Sequence, residues 1–179
     1  MKTLDIGCGK HKTIGAIGLD FVKIQGVDVV HDLNKIPYPF KNKEFDIIYA
    51  NHVLEHLEIN LDKMLGVLCR ICKSNGKIVI EVPTFPSMGT FSDPTHKKVF
   101  SYFTFDYFGS NEQSYYTKSR VKILKRKFIC GGGGRLASKI FKPIELFINE
   151  FPKLYVLFPF LFPVTSMKFE LQPSKDIKL

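Results

Sequence analysis

The stretch Leu4-Asp5-Ile6-Gly7-Cys8-Gly9-Lys10 (LDIGCGK) decides the reading of this chain. Lys2–Gly7 has the pattern of a buried strand that runs into a turn with two glycines. A glycine turn after a first strand lets the backbone approach a ligand closely. In an open, doubly wound sheet, ligands bind beyond the carboxyl ends of the strands. Position 12 is Lys12, so the third glycine of the dinucleotide fingerprint G-x-G-x-x-G is missing, and there is no G-x-x-x-x-G-K-[ST] phosphate loop. Asp5, two residues before the first glycine, suits a ligand that carries positive charge. The bland alternative is an ordinary strand-to-loop turn.

Working outward, Ala16–Asp20 reads as a second strand, Val27–Asp32 as a third, Phe45–Ala50 as a fourth and Lys77–Val82 as a fifth. Leu33–Phe40 is a turn set by Pro37 and Pro39. From His52 to Lys73 the apolar residues Val53, Leu57, Leu61, Met64, Leu68 and Cys72 fall on one helical stripe, and Ser74-Asn75-Gly76 reads as its C-terminal cap. Mostly apolar strands alternating with connections predict a parallel sheet in an α/β fold. Further on, Ser101–Phe108 is a short aromatic helix, Val121–Cys130 a strand that is basic on its exposed positions, and Gly131–Gly134 a flexible joint. Leu136–Glu150 has an amphipathic helical pattern with Pro143 awkward inside it, and Thr165–Gln172 alternates like a closing strand.

Carboxylates stand at the ends of three successive strands. Asp20 ends the second, where an acid can accept both hydroxyls of a ribose. Asp32 ends the third, where an acid can accept from an adenine amino group. Each alone reads more readily as a solvated loop residue or a cap; three at the ends of successive strands are harder to dismiss.

Taken together, LDIGCGK (4–10), IGLD (17–20), DVVHDLNKIPYPF (28–40), FDIIYANHVLEHL (45–57), GKIVIEVP (76–83) and DPTHKKVF (93–100) resemble the class I S-adenosylmethionine-dependent methyltransferases, in particular a compact type 11-like subgroup. The resemblance covers the first hundred residues almost continuously and fades after Phe100. It implies a Rossmann-like three-layer sandwich with a mostly parallel seven-stranded sheet. The last strand, near Met167–Leu171, would insert antiparallel. It implies S-adenosylmethionine as cofactor, with Asp5, Gly7 and Gly9 lining its methionine part and Cys8 as a small spacer. Asp20, followed by Phe21, would hold the ribose. Asp32 would meet the adenine amino group, and Leu33 the adenine slot. Asn51 and His52 would stand near the cofactor and the substrate entrance. The usual helix between the glycine loop and the ribose acid is nearly lost, because Gly9 and Asp20 are 11 positions apart.

Other motifs compete. His52-Val53-Leu54-Glu55-His56 fits the H-x-x-E-H pattern of zinc peptidases, but no third ligand is evident from the sequence, and a helix N-terminus with Glu55 in its first turn explains it. No metal is therefore assigned. Cys69-x-x-Cys72 is a single pair on a helix and reads as packing. In the Asp93-Pro94-Thr95-His96 loop, His96 is a candidate base for taking a proton from the acceptor, against a reading in which Asp93 and His96 only pin the loop. His52 is a second catalytic candidate.

The chain has 179 residues and a net charge of +9. Its size and composition fit one domain, with residues 1–100 as a cofactor-binding half and residues 101–179 as a substrate or lid half. Residues 1–93 hold 11 basic and 11 acidic side chains; residues 94–179 hold 15 and 6. That asymmetry points to an anionic partner or to solubility alone. Lys118–Lys127, preceded by Tyr115 and Tyr116, offers either phosphate contacts to nucleic acid or a solvated strand edge. The Phe-rich segment Phe141–Phe162 reads as a core layer or lid, with peripheral membrane contact the less favoured alternative. No apolar run reaches the roughly 20 residues a membrane span needs, no secretory signal is evident, and the four cysteines fit a reduced cytoplasmic setting. The expected reaction is methyl transfer to an O or N nucleophile of a small-molecule or glycan-type acceptor. Nucleic-acid methylation and a non-catalytic binding protein with a degenerate cofactor site are the alternatives.

Overall fold

The computed structural model describes residues 1–109, 115, 117–131 and 134–174. The strands are β1 (Thr3–Ile6), β2 (Ile17–Asp20), β3 (Val29–Val30), β4 (Phe45–Asn51), β5 (Cys72–Pro83), β6 (Val121–Cys130) and β7 (Val164–Pro173). They form one sheet in the order β3-β2-β1-β4-β5-β7-β6. The first five run parallel, and β7 lies antiparallel to both β5 and β6. This is the Rossmann-like α/β arrangement, with its C-terminal strand inserted antiparallel as expected.

One face of the sheet is the core. Paired residues keep a common face, so Leu4, Ile6, Leu19, Ile48, Ala50, Ile78, Ile80, Met167, Phe169 and Leu171 form a continuous layer, each fully buried. Helix α1 (Leu61–Ile71) adds Met64, Leu65, Leu68 and Ile71 to this core. The aromatic turn Thr104–Phe108 sets the Phe105 ring 4.7 Å from that of Phe169. The opposite face is more polar and partly exposed: Lys77 pairs with Glu170 at 3.1 Å, and Tyr49 and Ile47 are half-buried.

Several elements differ from the sequence reading. The helix expected over His52–Lys73 is two pieces: a 3-10 turn at Leu54–His56, and α1. His52 adopts φ +50, a left-handed conformation no helix continues through. Asn60 starts α1 by accepting from the Asp62 amide at 2.8 Å. The helix ends at Ile71, and Ser74-Asn75-Gly76 belongs to β5 rather than capping it. Its N-terminal part pairs Cys72 with Phe45. The third strand keeps only Val29–Val30, because the Asp28 carboxylate, not a backbone carbonyl, takes the Gly18 amide at 2.6 Å.

The helix expected over Leu136–Glu150 is split into α3 (Arg135–Ile140) and α4 (Lys142–Glu150) at Phe141. Pro143 then falls in the first turn of α4, where its missing N–H costs nothing. The Asn149 side chain on α4 both donates to and accepts from the backbone of Phe128, at 2.9 and 2.8 Å, which covers part of the open edge of β6. Two short helices remain, α2 (Met88–Ser92) after β5 and α5 (Pro152–Leu157) before β7. Gly132 and Gly133 of the glycine joint, and Tyr116 beside the basic stripe, lie outside the described residues. Among the described residues no helix is long and apolar enough to cross a membrane.

Candidate active site

The glycine loop leaves β1 with Gly7 at φ +62 and Gly9 at φ +49. Its register is fixed from β2: the Gly7 amide donates to the Leu19 carbonyl at 2.8 Å. Asp20 holds the loop from the same strand, accepting the Gly9 amide at 2.9 Å and the Val22 amide at 3.2 Å. Asp5 is buried and accepts the Thr13 amide at 2.7 Å. Asp32 lies two residues beyond β3, takes the Asn34 amide at 3.0 Å and faces Lys35 at 3.7 Å. The structure therefore gathers Asp5, the glycine loop and Asp20 into one hydrogen-bonded unit and sets Asp32 on the neighbouring strand end. Leu33 is buried behind Asp32, and its carbonyl accepts from the buried Tyr38 hydroxyl at 2.9 Å.

These residues fit an adenosyl ligand. Each Asp20 oxygen spends one lone pair on the backbone and keeps another for a hydroxyl. Phe21 is 70% exposed, an aromatic face left in solvent next to Asp20. A Cβ on Gly9 would meet no atom within 4 Å, so the loop borders open space there. The Cys8 thiol is raised above its usual value by burial and by Asp5 and Asp20, which suits a spacer rather than a nucleophile. Burial likewise pushes Cys69 and Cys72 up to about 12, in line with packing.

A second cluster lies at the carboxyl ends of β4 and β5. Asn51 is exposed at the end of β4, and His52 follows, its amide donating to the Glu81 carbonyl at 2.8 Å. The His52 ring lies 3.4 Å from Glu55 through Nδ1 and 3.4 Å from Glu81 through Nε2. Those two carboxylates raise it to about 9, so it stays protonated at neutral pH. The pairing holds Glu81 below the usual carboxylate range. Ser166 of β7 also donates to Glu81, at 3.3 Å.

His96 enters from the loop after α2. Its Nδ1 meets the Thr90 carbonyl at 3.0 Å. A carbonyl only accepts, so Nδ1 carries a proton and the neutral ring has its lone pair on Nε2, which lies 3.8 Å from Asp93 Oδ2. The loop is clamped: the Lys97 and Lys98 amides donate to the Glu55 carbonyl, and the Phe85 amide to that of Phe100. The Lys98 side chain donates to the Leu57 carbonyl. His52, Glu55, His56, Glu81 and His96 line a cavity of about 500 Å³. An apolar cavity of about 480 Å³, walled by Met88, Phe141, Phe160 and Phe162, shares Ser87, Gly89 and Thr165 with it.

Sequence reasoning placed His52 and His96 near one site but missed Glu81 and Ser166. The signal for Glu81 was present: it is the one charge inside the apolar run IVIEV. The basic stripe is partly neutralised within the chain. Arg126 pairs with Asp106, and Lys127 reaches Glu145 at 3.3 Å.

A family described as a methyltransferase domain matches residues 1–104. The chain belongs to this family; it is an S-adenosylmethionine-dependent methyltransferase, and S-adenosylmethionine is the implied methyl donor. No curated protein matches the chain. Solved structures share the fold. An S-adenosylmethionine-dependent methyltransferase from Archaeoglobus fulgidus is 23% identical, with 96% of this chain and 85% of that one covered and a TM-score of 0.58. An S-adenosylmethionine-dependent methyltransferase from Mesorhizobium loti is 14% identical, with 96% and 90% covered and a TM-score of 0.58. Geranyl diphosphate C-methyltransferase from Streptomyces coelicolor A3(2), solved with Mg2+, geranyl diphosphate and S-adenosyl-L-homocysteine, is 11% identical, with 97% and 73% covered and a TM-score of 0.61.

Proposed function

We propose that the donor lies over the glycine loop, held by Asp5, Gly7, Cys8, Gly9, Asp20, Phe21, Asp32, Leu33, Asn51 and His52, and that the acceptor enters the cavity at His52 and His96. The reaction is methyl transfer to an O or N nucleophile of a small-molecule or glycan-type acceptor. The adjoining apolar cavity leaves room for an apolar part beside the nucleophile. Residues 1–100 form the donor half and residues 101–179 the acceptor half of one domain, acting in the cytoplasm.

One observation carries this reading. A Cβ built on Gly7 would fall 2.3 Å from Cγ2 of Val53, so the donor loop packs directly on the segment that bears His52, Glu55 and His56. Donor and acceptor groups thus share one contact. When bound, S-adenosylmethionine supplies a methyl group on a positively charged sulfur, a carbon already activated toward displacement. The acceptor's lone pair forms the new bond to that carbon, the carbon–sulfur bond breaks, and the sulfur keeps the electron pair. Positioning supplies much of the rate in such an in-line displacement. His96 Nε2 takes the proton the acceptor loses, while protonated His52 is held as a fixed charge by Glu55 and Glu81.

Calorimetry with S-adenosylhomocysteine tests the donor half. Asp20→Ala removes the carboxylate that ties Gly9 to β2, and affinity should drop at least tenfold, about 1.4 kcal/mol. Equal affinity in the variant would refute the assignment. Nucleic-acid methylation is less favoured, because Arg126 and Lys127 are already engaged within the chain.

A further inference from the structure

We infer that Glu55, His56 and His96 form a site for one divalent d-block cation, with zinc as the representative ion. The inference rests on the acceptor assignment above and deepens it: with the cation bound, His96 Nε2 is a ligand and no longer the base, and the acceptor gives its proton to solvent because the cation lowers its pKa.

The three side chains each offer a ligand atom, and these atoms lie within 4.8 Å of one another. The two imidazole rings are 4.7 Å apart between centroids. Their hydrogen bonds engage Nδ1 of each ring, so Nε2 is the nitrogen each has left to ligate. His96 gives its Nδ1 proton to the Thr90 carbonyl. His56 Nδ1 meets Thr95 Oγ1 at 2.9 Å, and that hydroxyl gives its single proton to Asp93 at 2.6 Å. The hydroxyl oxygen must therefore accept from His56, which leaves Nε2 of His56 with a free lone pair. This is the outer-shell pattern that orients metal-binding histidines, with the second ring nitrogen tied to a carbonyl or a hydroxyl–carboxylate pair.

Glu55 supplies the independent observation. It is 1% exposed, and neither carboxylate oxygen receives a hydrogen bond among the described residues. His52 approaches one oxygen at 3.4 Å as a charge partner but without hydrogen-bond geometry. Protonated His52 offsets part of the charge from one side, but both oxygens keep unused lone pairs, and a buried carboxylate with unused lone pairs draws a further donor or cation. Three converging acceptors with no donor among them supply that demand. The set has the composition of a two-histidine, one-carboxylate site, which leaves coordination positions open. These open onto the cavity, where an acceptor oxygen or nitrogen would bind. A cation there lowers the pKa of a bound hydroxyl by several units.

The sequence hides the site. H-x-x-E-H invites a pairing of His52 with His56 along a helix, whereas the 3-10 turn sends His52 to Glu81 and brings His56 to His96, forty residues on.

The test is zinc binding to the metal-stripped full chain by calorimetry, with S-adenosylhomocysteine binding measured beside it. One equivalent should bind. His56→Ala and His96→Ala should each weaken it at least a hundredfold, and His31→Ala, a histidine remote from the cluster in sequence and hydrogen bonding, should leave it unchanged. X-ray absorption of the zinc-loaded wild-type chain needs no variant and should show two histidine nitrogens at about 2.0–2.1 Å. An all-oxygen shell, no stoichiometric zinc, or equal affinity in both histidine variants would overturn the inference. Loss of zinc binding with intact S-adenosylhomocysteine binding would sink the metal site alone; the reverse would sink the donor assignment alone.

Discussion

A methyl group placed on each glycine of the proposed donor loop separates folding from binding. Both Gly7 and Gly9 have positive φ, where an L side chain costs about 1–2 kcal/mol. At Gly9 that strain is the whole structural penalty, because the new Cβ meets nothing within 4 Å. For a chain of this size, Gly9→Ala should lower Tm by about 2–8 °C, taking about 2–4 °C per kcal/mol. The same methyl occupies the space a donor must approach, so affinity for S-adenosylhomocysteine should fall at least tenfold, about 1.4 kcal/mol. Gly7→Ala inverts the balance. Its Cβ would fall 2.3 Å from Val53 Cγ2 and 2.7 Å from Val53 Cβ, and Val53 is buried. Overpacking adds about 1–3 kcal/mol to the strain, for a total of about 2–5 kcal/mol. Thermal unfolding and calorimetry on the two variants give both numbers. If Gly9→Ala binds S-adenosylhomocysteine within about twofold of the wild type, less than 0.5 kcal/mol, the donor does not lie over this loop.

The remaining perturbations probe single links. His96→Ala should slow methyl transfer on the order of a hundredfold or more while sparing donor affinity, measured with any acceptor the wild type turns over; full activity would remove His96 from the reaction. Tyr38→Phe deletes a buried hydroxyl that donates to the Leu33 carbonyl at 2.9 Å, and chemical denaturation should register a loss of about 1 kcal/mol. Asp28 is held below its ordinary value by the Gly18 amide and Lys12. Its folded pKa is depressed, so its contribution to stability is present above the ordinary carboxylate value and is lost as pH falls through the folded one. Asp28→Asn should therefore flatten the acid limb of the Tm-against-pH curve; an unchanged slope would show that this carboxylate does not anchor β2 to β3.

Strands were legible because buried parallel strands are apolar on nearly every position, as IVIEV and FDIIYA are. Even the bounds of β6 matched. Helices were harder, because their ends are decided by conformations that leave little trace. Val53, Leu57 and Leu61 keep helical spacing by coincidence across a 3-10 turn, just after a left-handed His52. A local signal for the true start was present in Asn60, whose side chain caps the Asp62 amide. Asp5, the glycine loop, Asp20 and Asp32 were readable as a group because they sit within 32 residues at the ends of adjacent strands. The cluster at the ends of β4 and β5 was legible only in His52 and His96, because its geometry comes from contacts distant in sequence. Glu55 read as a favourable first-turn charge, yet the loop at Lys97 and Lys98 closes over it and buries it.

That difference follows from what the reaction requires. A methyl on a charged sulfur needs little chemical help, so selection acts on where the acceptor atom sits. Position is supplied here by hydrogen bonds that fix tautomers and by clamped turns, none of which demands a contiguous motif. His56 and His96 illustrate the point. Nothing in either segment links the two, and each has its ring orientation fixed only through Thr95, Asp93 or Thr90. The 3-10 turn that carries Glu55 and His56 is in turn seated by the contact between Gly7 and Val53. A residue larger than glycine at position 7 would displace the acceptor groups and the donor loop together. The two halves of the site are therefore coupled through the packing of Gly7 on Val53 as well as through the pairing of β1 with β4, and substitutions at Val53 should alter donor affinity without touching the donor.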